Sequence, residues 1–284
     1  MADFHHFYRT TDRGESLCYV WFPAMHTRAD ILMVNGGSEA DGCKVAEEVV
    51  EELSRLERVA NCFCPTSELA QVNRGAARSV VPLSDTLREL LEQCQHYNGL
   101  TGGLFDITTD SEPFGADCAR AVQLSAEGVR FLRMGVRLNL SGYLKGYALD
   151  RIRQVLRLRG VGNALVSLGT SSVMALGQRH GVSGWPVTLP GGGECIELSN
   201  ECLTTSGNDN PGRRHIVNPH TGHYVEGVRT VSVVTECGAL GEVMSTSLFI
   251  ATPQQRTGLC QRFAVKHWYV AGDEQIIGTN YIFK

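Results

Sequence analysis

Glu242 and Thr246 lie four residues apart, so on a helix they present a carboxylate and a hydroxyl on one face, within about 5 to 6 Å of each other. Two hard oxygens so placed can serve Mg²⁺, which otherwise keeps waters and phosphate oxygens. A second candidate is Asn139-Leu140-Ser141-Gly142-Tyr143-Leu144-Lys145-Gly146. A strand that runs through a Gly-containing turn into a helix leaves backbone N–H groups and the positive end of the helix dipole open to an anion. Lys145, in the first turn, adds a point charge, and the combination suits a phosphate. The spacing is neither the GxxxxGK(S/T) of a P-loop nor the GxGxxG of a dinucleotide fold. Gly102-Gly103-Leu104-Phe105-Asp106 lets backbone approach a ligand closely, with Phe105 packing beneath.

The densest punctuation is Thr205-Ser206-Gly207 followed by Arg214-His215-Ile216-Val217-Asn218-Pro219-His220-Thr221-Gly222. A turn, a histidine, a strand-like pair and an Asn-Pro…Thr-Gly turn exceed what a folding core requires. His215, His220 and His223 put three imidazoles in nine residues. Pro219 breaks any helix that would align two of them at i, i+4, so a zinc centre is not expected.

The elements that must hold these groups follow from periodicity. Helices are expected at 44–58, with Val45, Val49, Leu53 and Leu56 inward and Glu47, Glu48, Glu51 and Glu52 outward; after the N-cap Ser84, stopping at Gly99; from Gly142 to Arg159, stopped by Gly160; and at 240–250, ending before Pro253. Arg151, Arg153, Arg157 and Arg159 read as a solvated helix face. Short strands are expected at 17–22, 31–34, 129–132, 136–140, 164–168, 173–176, 185–189, 195–198, 215–217, 228–234 and 265–270, and Ser79-Val80-Val81-Pro82 as an extended piece. Gly191-Gly192-Gly193 reads as a hairpin turn. Hairpins outnumber helical crossovers, which favours α+β with mostly antiparallel sheet over a doubly wound sheet.

With 284 residues, 43% hydrophobic and 20% charged, the chain can bury a sizeable core, and one domain over 1–284 is expected. A net charge of −4 without any Lys/Arg-rich run argues against a nucleic-acid partner. The ten cysteines form no CxxC pair and read as reduced, mostly buried small hydrophobes. Met1 to Arg13 carries no apolar run or cleavage site, and no stretch approaches the ~20 apolar residues of a membrane span, so a cytoplasmic protein is expected.

From about Glu47 onward these motifs, with Glu242-Val243-Met244-Ser245-Thr246, resemble in order and rough spacing the ApbE family, the FAD:protein FMN transferases. The resemblance implies an α+β fold of mostly antiparallel sheet with packed helices, in that family's T-fold-related architecture. It implies FAD as substrate and Mg²⁺ held by Glu242, Thr246 and the Gly142 carbonyl. Lys145 would contact the flavin nucleotide and act with His215, which would orient or deprotonate the nucleophile. Leu104, Phe105 and Asp106 would line the FAD site and Ile216 would touch the isoalloxazine, which Phe63, Phe105 and Ile216 together enclose. Phe63 stands where a stacking tyrosine is usual, ahead of Ser67-Glu68-Leu69 and Asn73. Ser206 and Gly207 would sit at the flavin edge, and Asn139 belongs to the same nucleotide set. The implied activity moves the FMN half of FAD to a threonine of a partner flavoprotein and releases AMP; water in place of threonine gives FMN and AMP. Three positions depart from the family: its turn aspartate is Asn139, its second glycine is Ser141, and its metal aspartate is Glu242. The family's Met-Gly-Thr motif has no counterpart near Phe7 to Thr11, and the stretch from Asp106 to Asn139 is shorter. These departures also admit a non-catalytic FAD-binding paralogue.

Overall fold

The computed structural model describes residues 3–12, 14–179, 182–190, 194–208, 215–265, 267–272 and 276–279. The triple-glycine turn at 191–193 and Arg214 lie outside the described residues. In chain order the strands are β1 (His5–Thr10), β2 (Ser16–Ala24), β3 (Thr27–Val34), β4 (Val122–Ser125), β5 (Gly128–Phe131), β6 (Asn163–Leu168), β7 (Ser172–Leu176), β8 (Trp185–Thr188), β9 (Cys195–Leu198), β10 (Cys202–Asn208), β11 (Val217–Asn218), β12 (His223–Tyr224), β13 (Arg229–Thr235), β14 (His267–Gly272) and β15 (Ile276–Thr279). The helices are α1 (Glu39–Ala60), α2 (Glu68–Gly75), α3 (Asp85–Leu100), α4 (Ser141–Leu158), α5 (Gly238–Ile250) and α6 (Pro253–Arg262).

One nine-stranded sheet in the order β1-β2-β3-β6-β7-β10-β13-β14-β15 forms the frame, every neighbouring pair antiparallel. The α+β expectation holds. Alternation decides the two faces. Ala164, Val166 and Leu168 of β6 join the core under the helices, with Val45, Val49, Leu53 and Leu56 of α1 and Ala148, Ile152 and Leu156 of α4. Leu165, Val173, Ala175 and Leu203 point the other way, where Trp185 and Leu198 of the β8–β9 hairpin cover them. The Trp185 indole N–H is satisfied by the Leu176 carbonyl at 3.1 Å.

Helix α5 is buried all round, eleven of its thirteen residues lying inside. It reaches that depth because it crosses α4 at two glycines, Gly146 and Gly238, where the backbones touch. Its N-terminus is capped from outside the helix: Asp150 of α4 accepts from Gly238 N at 2.8 Å and Ala239 N at 2.9 Å. This places Lys145 and Glu242 on two helices that cannot slide independently.

Several expectations needed correction. Residues 136–140 form no strand, although Val136, Leu138 and Leu140 are buried in alternation. Asn73 takes the part of a neighbouring strand, its Oδ1 accepting from Leu138 N at 2.8 Å and its Nδ2 donating to Leu138 O at 2.9 Å. Thr205-Ser206-Gly207 is not a turn but part of β10, paired with β13; a Cβ on Gly207 would stand 2.6 Å from the Arg229 carbonyl, which explains the glycine. Strand β11 starts two residues later than expected. Pro253 ends α5 and opens α6 at the first helical position, behind a Thr252/Gln255 capping box. The solvated arginine face holds in part: Arg157 and Arg159 are exposed, while Arg151 and Arg153 are half-buried. Arg151 meets Glu52 at 2.7 Å, Arg159 pairs with Glu48, and Arg153 donates to the Glu236 carbonyl at 2.5 Å. All ten cysteines are free thiols, and Cys18, Cys62, Cys94, Cys118, Cys202 and Cys260 are buried. No described helix is long and apolar enough to cross a membrane.

Arg55 and Arg151 both donate to Glu52, and together they hold its carboxyl down at about 2, against a partial burial that acts in the opposite sense. Because its folded-state pKa is depressed, its contribution is present above the unfolded value of about 4.5 and is lost as pH falls towards about 2. The stability difference between wild type and Glu52→Gln should therefore be flat at neutral pH and close over that acid window in urea melts. A difference that persists unchanged to pH 2 would refute the assignment.

Candidate functional site

Segments far apart in the chain converge on one cleft of about 980 Å³. Its lining includes Phe63, Leu104, Phe105, Asp106, Asn139, Gly142, Lys145, Ser206, Gly207, His215, Ile216, Glu242 and Thr246, so every residue expected at the site borders this space.

Asn139 prepares the start of α4. Its Oδ1 accepts from Ser141 N at 2.9 Å, doing the work that the cap residue Leu140 cannot, and its Nδ2 donates to Asp110 at 2.8 Å. The Gly142 N–H has no partner among the described residues, and a Cβ built on Gly142 meets nothing within 4 Å. The helix start is thus an open concave place beside a positive dipole end. Lys145 reaches across to donate to Ser171, in the turn between β6 and β7.

Glu242 is 4% exposed, and its Oε1 accepts from Ser172 Oγ at 2.6 Å. Burial pushes its carboxyl above the ordinary range, against the charge of Lys145 and the Ser172 hydrogen bond. Thr246, one turn on, faces the Ser206 hydroxyl at 3.1 Å, and Ser206 also meets Ser245 at 2.8 Å. Asp106 is likewise pushed up by burial, while Thr108 donates to it through both N and Oγ1. Glu242, Thr246 and Gly142 border the same cleft, and their oxygens are of the hard type that a small divalent cation takes. The described residues hold no group of three His, Cys, Asp or Glu side chains arranged for a metal.

The β11–β12 hairpin brings in His215, Ile216 and Tyr224. It is fastened to the glycine turn by His220, whose Nε2 lies 2.9 Å from the Gly102 carbonyl. That histidine therefore positions a loop. Phe63, 61% exposed, presents its ring at the cleft, with the His26 ring edge-on at 6.1 Å. Phe105 is 3% exposed and packs against Tyr143 with ring centroids 5.9 Å apart. It borders the cleft from beneath the loop.

Sequence reasoning missed Asp110, Arg137, Ser171, Ser172 and Tyr224. Arg137 carried a signal, since it stands between the buried Val136 and Leu138 and must face outward. Polar Thr170-Ser171-Ser172 after Gly169 was a further hint, more hydroxyls than a tight turn needs. Tyr224, 56% exposed at the cleft, carried none.

The amide at 139 gives a prediction. Asn139→Asp keeps the acceptor for Ser141 N but loses the donor to Asp110, leaving two carboxylates where a hydrogen bond stood. A loss of roughly 0.5 to 1.5 kcal/mol is expected in denaturant melts. A variant as stable as wild type would show that Asp110 does not depend on this amide.

A family model described as the ApbE family matches residues 25–112 and 115–267. Over 165 residues the chain is 31% identical to a protein of Rhodobacter capsulatus named FAD:protein FMN transferase, a match covering 54% of this chain and 31% of that protein. The chain thus spans about a third of the length of that relative. A protein of the same name from Chlamydia trachomatis is 24% identical over 243 residues, covering 74% of this chain and 76% of its own length. The fold matches the apo form of the Pseudomonas stutzeri flavinyl transferase ApbE with a TM-score of 0.80 at 19% identity, over 93% of this chain and 95% of that one. It matches the flavin transferase ApbE from Vibrio cholerae with a TM-score of 0.77 at 17% identity, over 99% and 95% of the two chains.

Proposed function

The chain belongs to the ApbE family, and from that membership we propose that it transfers the FMN half of FAD to a threonine hydroxyl of an acceptor flavoprotein and releases AMP. The observation that carries the reading is the convergence of the flavin, phosphate and cation candidates on one cleft of about 980 Å³, a volume suited to a dinucleotide.

In the proposed reaction the acceptor Oγ forms a bond to the phosphorus of the FMN half, and the pyrophosphate P–O bond to AMP breaks. His215, exposed at the cleft, takes the hydroxyl proton. The Lys145 ammonium keeps two of its three protons for pyrophosphate oxygens while the third goes to Ser171. The open N–H of Gly142 and the dipole of α4 favour the same anion. Phe63 supplies a face for the isoalloxazine. Glu242, Thr246 and the Gly142 carbonyl would hold Mg²⁺, which when bound neutralises charge on the pyrophosphate. The protein's contribution is positioning and electrostatics, with no covalent intermediate on the enzyme.

Incubation with FAD, Mg²⁺ and a purified acceptor flavoprotein is expected to add to the acceptor the mass of one FMN less one water, with an equal amount of AMP. AMP without acceptor modification would replace transfer by FAD hydrolysis. FAD binding with neither product would replace it by the non-catalytic paralogue, a reading that Glu242 and Asn139, departing from the family's aspartates, keep in view.

A further inference from the structure

Two consecutive serines, Ser171 in the turn before β7 and Ser172 at its first position, reach two different charges. Ser171 Oγ accepts from Lys145 Nζ of α4, and Ser172 Oγ donates to Glu242 Oε1 of α5 at 2.6 Å. Lys145 and Glu242 both border the cleft and feel each other's charge, yet no ion pair joins them. Opposite charges in a poorly solvated place gain much by closing into contact. Such a pair would withdraw the ammonium from a phosphate and the carboxylate from a cation at one stroke.

The backbone under the serines is fixed. Gly169 turns the chain with φ of +66°, the Ser171 carbonyl accepts from Thr205 N at 2.7 Å, and Ser172 stands opposite both Leu168 and Thr204 in the sheet. Ser171 closes the turn and Ser172 opens β7, their hydroxyls 3.5 Å apart between the two packed helices, so one serves α4 while the next serves α5.

We propose that Ser171 and Ser172 are positioning residues that hold Lys145 and Glu242 apart, each through its own hydroxyl, so that the ammonium remains available to phosphate and the carboxylate to a divalent cation. This rests on the transferase reading of the cleft. Partners behind a metal-binding side chain typically govern affinity by about 10- to 100-fold. With both hydroxyls gone, Lys145 and Glu242 close on each other.

The test uses Mn²⁺ as probe, titrated into the FAD-free protein and followed by the electron paramagnetic resonance of free Mn²⁺. Alongside, the rate at which an amine reagent labels Lys145 is read by peptide mass spectrometry. The Ser171→Ala/Ser172→Ala variant is expected to bind Mn²⁺ at least about tenfold more weakly and to label more slowly at Lys145, with unchanged circular dichroism. Ser171→Thr, which keeps the hydroxyl, should label at the wild-type rate. Mn²⁺ affinity within twofold of wild type and unchanged labelling would overturn the inference. Wild type that binds no Mn²⁺ would overturn the cation reading instead, and the labelling arm would still decide whether the serines separate the charges. Should the double variant fail to fold, Ser171→Ala alone decides by Lys145 labelling.

Discussion

Glu242→Gln is expected to cut Mg²⁺-dependent AMP release by about 10²- to 10³-fold, the usual loss when one preorganised electrostatic group is removed from a reacting centre. FAD binding should survive largely intact, because a charge that serves the transition state contributes little to the ground state. Glutamine keeps the volume, and its carbonyl still accepts from Ser172, now 2.6 Å from Oε1. The fold should tolerate the change well, since a buried carboxylate is replaced by a neutral amide. The sign of the pH effect is opposite to that of Glu52. Burial raises the Glu242 pKa above its unfolded value of 4.5, so the folded state takes up a proton more readily than the unfolded chain. Without metal, wild type should gain stability relative to the glutamine variant as pH falls through the raised pKa, and the gain should level off below about 4.5. Release of AMP in excess chelator at the wild-type rate would mean that Glu242 serves no cation.

Gly146→Ala is the second large effect. Most helix interiors gain up to about 1 kcal/mol from such a change. Here the new Cβ would stand 2.1 Å from the Gly238 carbonyl oxygen and 2.6 Å from Glu242 Cγ. Backbone cannot yield as a flexible side chain would, so α4 and α5 must separate, with a net loss of about 1 to 3 kcal/mol or more. The displacement also moves Glu242 relative to Lys145, so cation binding should fall with stability. Gly142→Ala, one turn earlier in α4, is the contrast. Its Cβ meets nothing within 4 Å, so the fold should hold or improve while FAD affinity drops, because the methyl group occupies the open helix start. Thermal melts with and without FAD separate the two cases; equal melting behaviour of the two variants would remove the distinction between a packing glycine and a binding one.

Local rules made much of this legible. Ser84 caps α3 through Leu87 N, as a serine before an apolar periodic run predicts, and the left-handed Gly160 follows α4 with φ of +74°. The hairpin count pointed to an antiparallel sheet. The 102–106, 139–142 and 215–222 motifs stood out because each sits in a short segment whose own backbone is unusual, a glycine turn, a helix start and an Asn-Pro turn, whereas Ser206 and Gly207 lie in strand β10 and Glu242 and Thr246 inside helix α5. Where burial alternated without a ladder, as at 136–140, the same rules misread a segment completed by Asn73 from 65 residues away.

Only the tertiary structure decided which groups meet. Phe63 and Phe105 are the same residue type in similar glycine- or proline-rich surroundings, yet one ring is exposed and the other is buried. Asp150 fixes α5 from another helix, Asn139 gives its amide to Asp110, and Ser171 and Ser172 divide Lys145 from Glu242. A side chain's chemistry and its backbone preference are set within a turn or two of chain, so sequence carries them. Its partner is set by sheet register and helix crossing, and a shift of one residue in β7 would turn Ser172 from Glu242 to the opposite face of the sheet.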